Sequence, residues 1–141
     1  MSAYLLDTNI LSEVMRPEPE KKAVQWLDDQ YVNDLYISTI TVAEIHLGIA
    51  LLPDGRRKDM LSLAANNAFN EFGGNVLDFT VDAALNYAEI VATRSKMGRP
   101  ISVEDAQIAA IALANNATLV TRNVNDFALV SGLNIINPFR E

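Results

Sequence analysis

Four acidic residues stand where a packed chain has little reason to keep them. Asp7 closes the apolar run Tyr4-Leu5-Leu6, Glu44 lies inside Val42-Ala43-Glu44-Ile45, Asp105 opens the stretch Ala106 to Ala114, and Asp126 follows Thr121-Arg122-Asn123. An ionised carboxylate among apolar side chains is costly unless it is paired, protonated or bound to a metal. Two carboxylates about 4 Å apart repel by roughly 4 kcal/mol at an effective dielectric near 20. A pocket shared by all four therefore keeps some of them protonated or holds cations. Oxygen-only ligands favour hard ions, and with no Cys and a single His the expected occupant is Mg²⁺ or Mn²⁺ rather than Zn²⁺.

The elements that must position these acids are short strands alternating with helices. Strands are expected at 4–7, 36–38, 75–79, 118–121 and 134–136, and helices at 9–15, 23–29, 42–52, 58–72, 81–97 and 103–115. Pro17 and Pro19 stop the first helix, Pro53-Asp54-Gly55 ends the third, and Gly73-Gly74 the fourth. Such alternation implies right-handed crossovers and a parallel sheet covered on both faces. Ligands gather at the carboxyl ends of its strands. Asp7 follows the first strand, Asp126 lies in the loop after 118–121, and Glu44 and Asp105 fall in the first turns of helices that begin near the same rim. The four carboxylates are thus expected to meet.

Each acid also has a plainer reading. Thr41-Val42-Ala43-Glu44 and Ser102-Val103-Glu104-Asp105 fit the capping box, in which the acid reaches back to an orphan N–H. Against that, Glu44 shares a helical stripe with Leu47, Gly48 and Leu51, and Asp105 shares one with Ile108, Ala109 and Ala112, so both acids are expected on buried or small-residue faces. Asp7 reads equally as a helix N-cap. Asn9, two residues on, could hydrogen-bond that carboxylate or a metal-bound water and fix its orientation. Asp126 could simply make an Asx-turn. Glu104 reads as a solvated first-turn acid, Trp26 as core, and His46, two residues from Glu44 on a helix, as a core or partner-facing side chain. The basic clusters Arg56-Arg57-Lys58 and Arg94, Lys96, Arg99 read as helix-end charges.

Composition narrows the chemistry further. The 141 residues fit one domain, 1–141, of which half are hydrophobic, and the formal net charge is −7. Asp7, Asn9 and Glu13 interrupt the first apolar stretch, which excludes a secretory signal, and no run reaches a membrane span. The absence of cysteine removes disulfides, thiolate sites and Cys nucleophiles and suits a cytoplasmic protein. One histidine excludes paired-imidazole RNA cleavage, and no G-x-S-x-G elbow supports a serine triad. The acidic balance argues against a DNA-coating protein.

The blocks Leu5-Leu6-Asp7-Thr8-Asn9, Ser38-Thr39-Ile40-Thr41-Val42-Ala43-Glu44, Asp105-Ala106-Gln107-Ile108-Ala109-Ala110, Thr121-Arg122-Asn123-Val124-Asn125-Asp126-Phe127 and Ile136-Asn137-Pro138-Phe139 run essentially end to end. In that order they resemble PIN-domain ribonucleases of the VapC toxin family, in its FitB-like branch. The resemblance implies an α/β fold, a three-layer α/β/α sandwich with a mainly parallel central sheet, and a homodimer. It implies a pocket in which Asp7, Glu44, Asp105 and Asp126 hold Mg²⁺ or Mn²⁺, with the family's last acidic position falling on Asn123 or Asp126. Cleavage of single-stranded RNA, and inhibition by a cognate antitoxin that itself binds DNA, are also implied.

The expectation is a metal-dependent endoribonuclease, the toxin of a toxin–antitoxin system. Asp7 and Asp105 would be the principal ligands, Glu44 a ligand or the carboxylate that orients the attacking water, and Asp126 an outer ligand. Thr8, Asn9, Thr121 and Asn123 would position water or phosphate. An acidic pocket poor in cations also suits a partner's arginine, so the antitoxin is expected to insert one. Two rivals share the acids. A phosphoacceptor domain needs a Lys after a late strand, and 118–127 and 134–138 have none. A non-cleaving partner of a DNA-binding antitoxin differs only in lacking RNase activity.

Overall fold

Adjacent residues of each inner strand go to opposite sides of one sheet, as the two-residue pleat requires. In β1 (Tyr4–Leu6) Leu5 joins one core and Leu6 the other, and in β4 (Thr118–Val120) Leu119 and Val120 divide the same way. In β2 (Leu35–Ser38), Leu35 and Ile37 face the core that receives Leu6, while Tyr36 packs with Leu5. Strands apolar on both faces belong in the middle of a covered parallel sheet. All strand pairs are parallel, in the order β3-β2-β1-β4-β5, with β3 at Val76–Leu77 and β5 at Ile135–Ile136. The computed structural model describes residues 2–139. Met1, Arg140 and Glu141 of the expected domain lie outside the described residues.

Helices cover both faces, so the expected three-layer α/β/α arrangement holds. On one side lie α1 (Thr8–Val14), α2 (Lys21–Asp28) and α4 (Arg56–Phe72), which contribute Ile10, Leu11 and Ala65. On the other lie α5 (Val81–Lys96) and α6 (Val103–Ala114). The α6 residues Ala106, Ala109, Ala110 and Ala112 have no exposed surface; their small side chains let α5 and the sheet approach α6 closely. α3 (Thr39–Ala50) stands at the end of β2, sending Ile45 to one core and Ile40 to the other. Among the described residues no helix is long and apolar enough to cross a membrane.

Two local expectations change. The third helix was expected at 42–52 and begins at Thr39, because the buried Ser38 Oγ accepts from the Thr41 N–H at 3.1 Å and serves as the cap. Asp126 is not in a loop or an Asx-turn but in a one-turn helix, α7 (Val124–Phe127), anchored by the fully buried Phe127.

Candidate functional site

The strand order turns back between β1 and β4, and at such a switch point loops from the two strands diverge and leave a crevice at their carboxyl ends. Asp7 leaves β1 there and Thr121 leaves β4. Asp7 is both an N-cap and a buried acid: its Oδ1 accepts from the Ile10 N–H at 3.1 Å, and its Oδ2 accepts from the Thr121 hydroxyl at 2.5 Å. Its backbone N–H is tied across the sheet to the Val120 carbonyl at 3.0 Å. The residue is 3% exposed. Burial pushes its carboxyl from an ordinary 3.8 up to about 6, the Asp105 charge adds to the rise, and the bonds from Thr121, Ile10 and the Asn9 backbone oppose it. The Asn9 side chain is exposed; the backbone N–H of Asn9, rather than its amide group, supports Asp7.

Glu44 is held from the opposite side of the crevice. Thr8, next to Asp7, donates to Glu44 Oε1 at 2.7 Å, and its hydroxyl also lies 2.9 Å from that of the buried Thr41. Because α3 starts at Thr39, Glu44 lies in its second turn and the Thr41–Glu44 capping box does not form. The hydroxyl of Thr8 therefore orients an acid rather than facing open water. From sequence Thr41 was read only as the cap of that box; a Thr in a β-branched run gives no sign that its hydroxyl will be buried beside another.

Asp105 and Asp126 come from the remaining two elements. Asp105, half-buried in the first turn of α6, takes its N–H to the Ser102 Oγ at 3.2 Å, which is half of the expected capping box. Burial raises its pKa first, Ser102 lowers it, and the charges of Asp126 and Glu104 raise it again. Asp126 is exposed on α7, and the Asn123 N–H at the start of that helix donates to Thr121 Oγ1 at 2.9 Å. The charge of Asp105 thus acts on Asp7 and that of Asp126 on Asp105, while Glu44 is held by Thr8, the residue that follows Asp7. Among the described residues no three acidic or histidine side chains stand close enough to share one ion as placed.

A groove of about 860 Å³ opens beside Thr8 and Glu44 between α1, α3 and α4. Its walls are largely apolar (Met15, Ile45, Ile49, Met60, Leu61, Ala64), with Arg16, Arg56 and Arg57 also lining it. The face of α3 expected to be buried with Glu44 is open instead: Leu47 is 60% and Leu51 76% exposed. His46 is exposed and lies against Phe69 with ring centres 5.3 Å apart and planes tilted by 39°, so it is not a core residue. Trp26 is half-buried, edge-on to Tyr4 at 5.2 Å. Arg56 and Arg57 begin α4, the end whose dipole disfavours cations. Arg94, expected as a helix-end charge, is 5% exposed and bonded to backbone carbonyls.

The PIN domain model matches residues 4–133. Over 136 residues the chain is 44% identical to plasmid stability protein StbB of Pseudomonas syringae pv. tomato, covering 96% of this chain and 97% of that one. It is 37% identical over 136 residues to VapC ribonuclease Y4jK of Sinorhizobium fredii, covering 96% of each. The structure of FitAB bound to an IR36 DNA fragment contains a chain that superposes with a TM-score of 0.88 at 37% identity, covering 98% of this chain and 96% of that one.

Proposed function

The chain belongs to the PIN-domain family, and on that premise we propose that it is a metal-dependent endoribonuclease that hydrolyses phosphodiester bonds in single-stranded RNA segments. In this reading it is a single-domain, cytoplasmic, homodimeric toxin of a VapBC-type toxin–antitoxin pair. The observation that carries the chemistry is Asp7: a carboxylate buried at the sheet's switch point, gripped through both oxygens, with the charge of Asp105 bearing on it.

The donor set fits a hard divalent cation. Every candidate ligand is a carboxylate oxygen, and burial together with a neighbouring carboxylate disfavours the ionised forms of Asp7 and Asp105, which a cation would favour. Asp7 and Asp105 would be the principal ligands, Glu44 a third ligand or the orienter of water, and Asp126 an outer one. When bound, Mg²⁺ or Mn²⁺ supplies a nucleophile at neutral pH and offsets charge on the phosphoryl group. The chain's own share is orientation. Thr121 and the Ile10 N–H hold the Asp7 carboxylate in one rotamer, Thr8 fixes Glu44 toward the crevice, and Asn123 stands at the end of the same loop. No imidazole is required, in keeping with His46 lying against Phe69 outside the crevice.

The apolar groove that opens beside Glu44 supports the partner side of the proposal. An antitoxin segment laid along Met15, Ile45, Ile49 and Met60 would reach the acids at one end and could present an arginine to Asp7, Glu44 and Asp105. DNA would be met through that antitoxin. The deciding experiment is an RNase assay on purified protein loaded with Mn²⁺, with EDTA and Asp7→Asn as controls. Absence of cleavage by the loaded wild type would leave a binding-only toxin partner.

A further inference from the structure

We infer that Arg94 is a positioning residue for the acidic site: its guanidinium ties together the two segments that carry Asp105 and Asp126. The inference rests on the metal-binding site proposed above. An arginine in the last turn of a helix ordinarily reaches into solvent near the free carbonyls. Arg94 lies in that turn of α5 but is 5% exposed. Its Nε–H donates to the Arg99 carbonyl at 2.6 Å, and its Nη1–H donates to the Asp126 carbonyl at 2.9 Å.

Both acceptors lead to acids. After α5 the chain turns through Gly98, whose φ of +70° suits glycine, and closes a Schellman motif in which Gly98 N–H meets the Ser95 carbonyl and Arg99 N–H meets the Arg94 carbonyl, each at 3.0 Å. Arg94 therefore holds Arg99 by backbone and by side chain. Three residues later Ser102 caps α6 and sets the direction of Asp105. At the other acceptor, α7 has four residues, too few to be stable alone. Its start hangs on Thr121, which also holds Asp7, and its end hangs on Arg94. Thr121 and Arg94 thus place Asp126 from two sides, and Arg94 acts on both acids through the backbone without touching them. A guanidinium is suited to this because its nitrogens are fixed in a fork that spans two carbonyls, whereas a lysine ammonium offers one point.

The test compares Arg94→Lys and Arg94→Met with wild type, after circular dichroism and melting confirm that each is folded at the assay temperature. Mn²⁺ binding is read by calorimetry, independently of catalysis. Folded variants should bind Mn²⁺ about tenfold more weakly and lose about tenfold or more in kcat, as loss of ligand-orienting partners does, with KM within about twofold. Arg94→Lys should retain more of both than Arg94→Met. Asp126→Asn should cost less in the Arg94→Lys background than in wild type, since the two changes act on one segment. Folded variants with wild-type Mn²⁺ affinity and kcat, or losses that simply multiply with Asp126→Asn, would overturn the inference. Failure of both variants to fold would also overturn it, by assigning Arg94 to the fold alone. If wild type binds Mn²⁺ but cleaves no RNA, the endoribonuclease reading fails while the affinity comparison still decides the role of Arg94.

Discussion

Asp7→Asn separates the acidic site from an ordinary helix cap, because the two roles move stability in opposite directions. The unfolded chain ionises Asp7 near 3.8 and the folded one near 6. Between those values the folded state binds the extra proton, so stability falls as pH rises, and the loss is complete above the folded pKa. At 1.36 kcal/mol per unit, the metal-free protein at pH 8 carries a penalty of about 3 kcal/mol at this one residue. Asparagine cannot ionise, yet its Oδ1 can still accept from the Ile10 N–H and its amide can donate to the Thr121 hydroxyl. Metal-free Asp7→Asn should therefore melt higher than wild type at pH 8, by on the order of 5–10 °C for a penalty of this size in a chain of this length. Near pH 4 the two should melt alike. Mn²⁺ at one thousand times its dissociation constant should reverse the order at pH 8 by stabilising wild type by roughly 4.1 kcal/mol, while leaving the variant unmoved. A variant that melts at or below wild type at pH 8 without metal, or one that gains equally from Mn²⁺, would refute the reasoning.

Other consequences can be checked more briefly. Thr121→Val removes the donor to Asp7 and the acceptor of the Asn123 N–H, and should cost roughly 1.5–3 kcal/mol in urea unfolding at pH 8, where Asp7 is ionised. Hydrolysis without the ribose 2′-hydroxyl should leave 5′-phosphate and 3′-hydroxyl ends, so 2′,3′-cyclic phosphates recovered by end sequencing would exclude the mechanism. His46→Ala should keep most of the cleavage rate in the same assay. If a partner's arginine enters the crevice, its replacement by Ala should weaken inhibition by roughly 2–5 kcal/mol, the cost of an unpaired buried charge; an antitoxin whose every Arg→Ala variant inhibits like the parent acts elsewhere.

Much of the frame was legible because burial on both faces writes itself as adjacent apolar residues, as at Leu5-Leu6 and Leu119-Val120. The helix α5 was legible as an element, bounded by Thr80 and Gly98, but its buried face was not: Val81, Leu85 and Ala88 are exposed, and the core takes Ala83, Ile90 and Arg94 instead. Nor was the start of α3 legible. Residues 39–41 were left between the strand at 36–38 and the helix at 42–52 because Thr39-Ile40-Thr41 is β-branched throughout and weak in helix propensity; a single Ser38 hydroxyl on the Thr41 N–H decides the matter. α7 has too few residues to show any period. At the crevice, Asp7, Glu44 and Asp105 stand out as acids against apolar runs. Of the groups that aim them, Thr8 and Thr121 were expected to position water or phosphate and instead bond Glu44 and Asp7; Thr41 and Arg94 left no such sign, because one works through a buried hydroxyl and the other through backbone carbonyls whose positions depend on the fold.

The exposed face of α3 shows a further limit of periodicity. Glu44, Leu47, Gly48 and Leu51 follow the spacing of a buried stripe, and in the single chain Leu47 and Leu51 lie open to solvent. Periodicity records that a face is apolar, not whether the chain itself or a second molecule covers it. The same helix sends Ile45 and Ile49 into the groove and Glu44 to its mouth, so whatever covers those apolar walls arrives within reach of the acids. An inhibitor anchored there would take its affinity from apolar contact and its effect from the charge it brings to Glu44 and Asp7. Glu44→Gln should therefore weaken cleavage strongly and antitoxin binding only partly, while Ile49→Asp, a charge placed in the apolar wall, should weaken antitoxin binding and leave RNA cleavage by the free protein largely intact. Equal losses of both activities in both variants would mean that groove and crevice do not divide the work in this way.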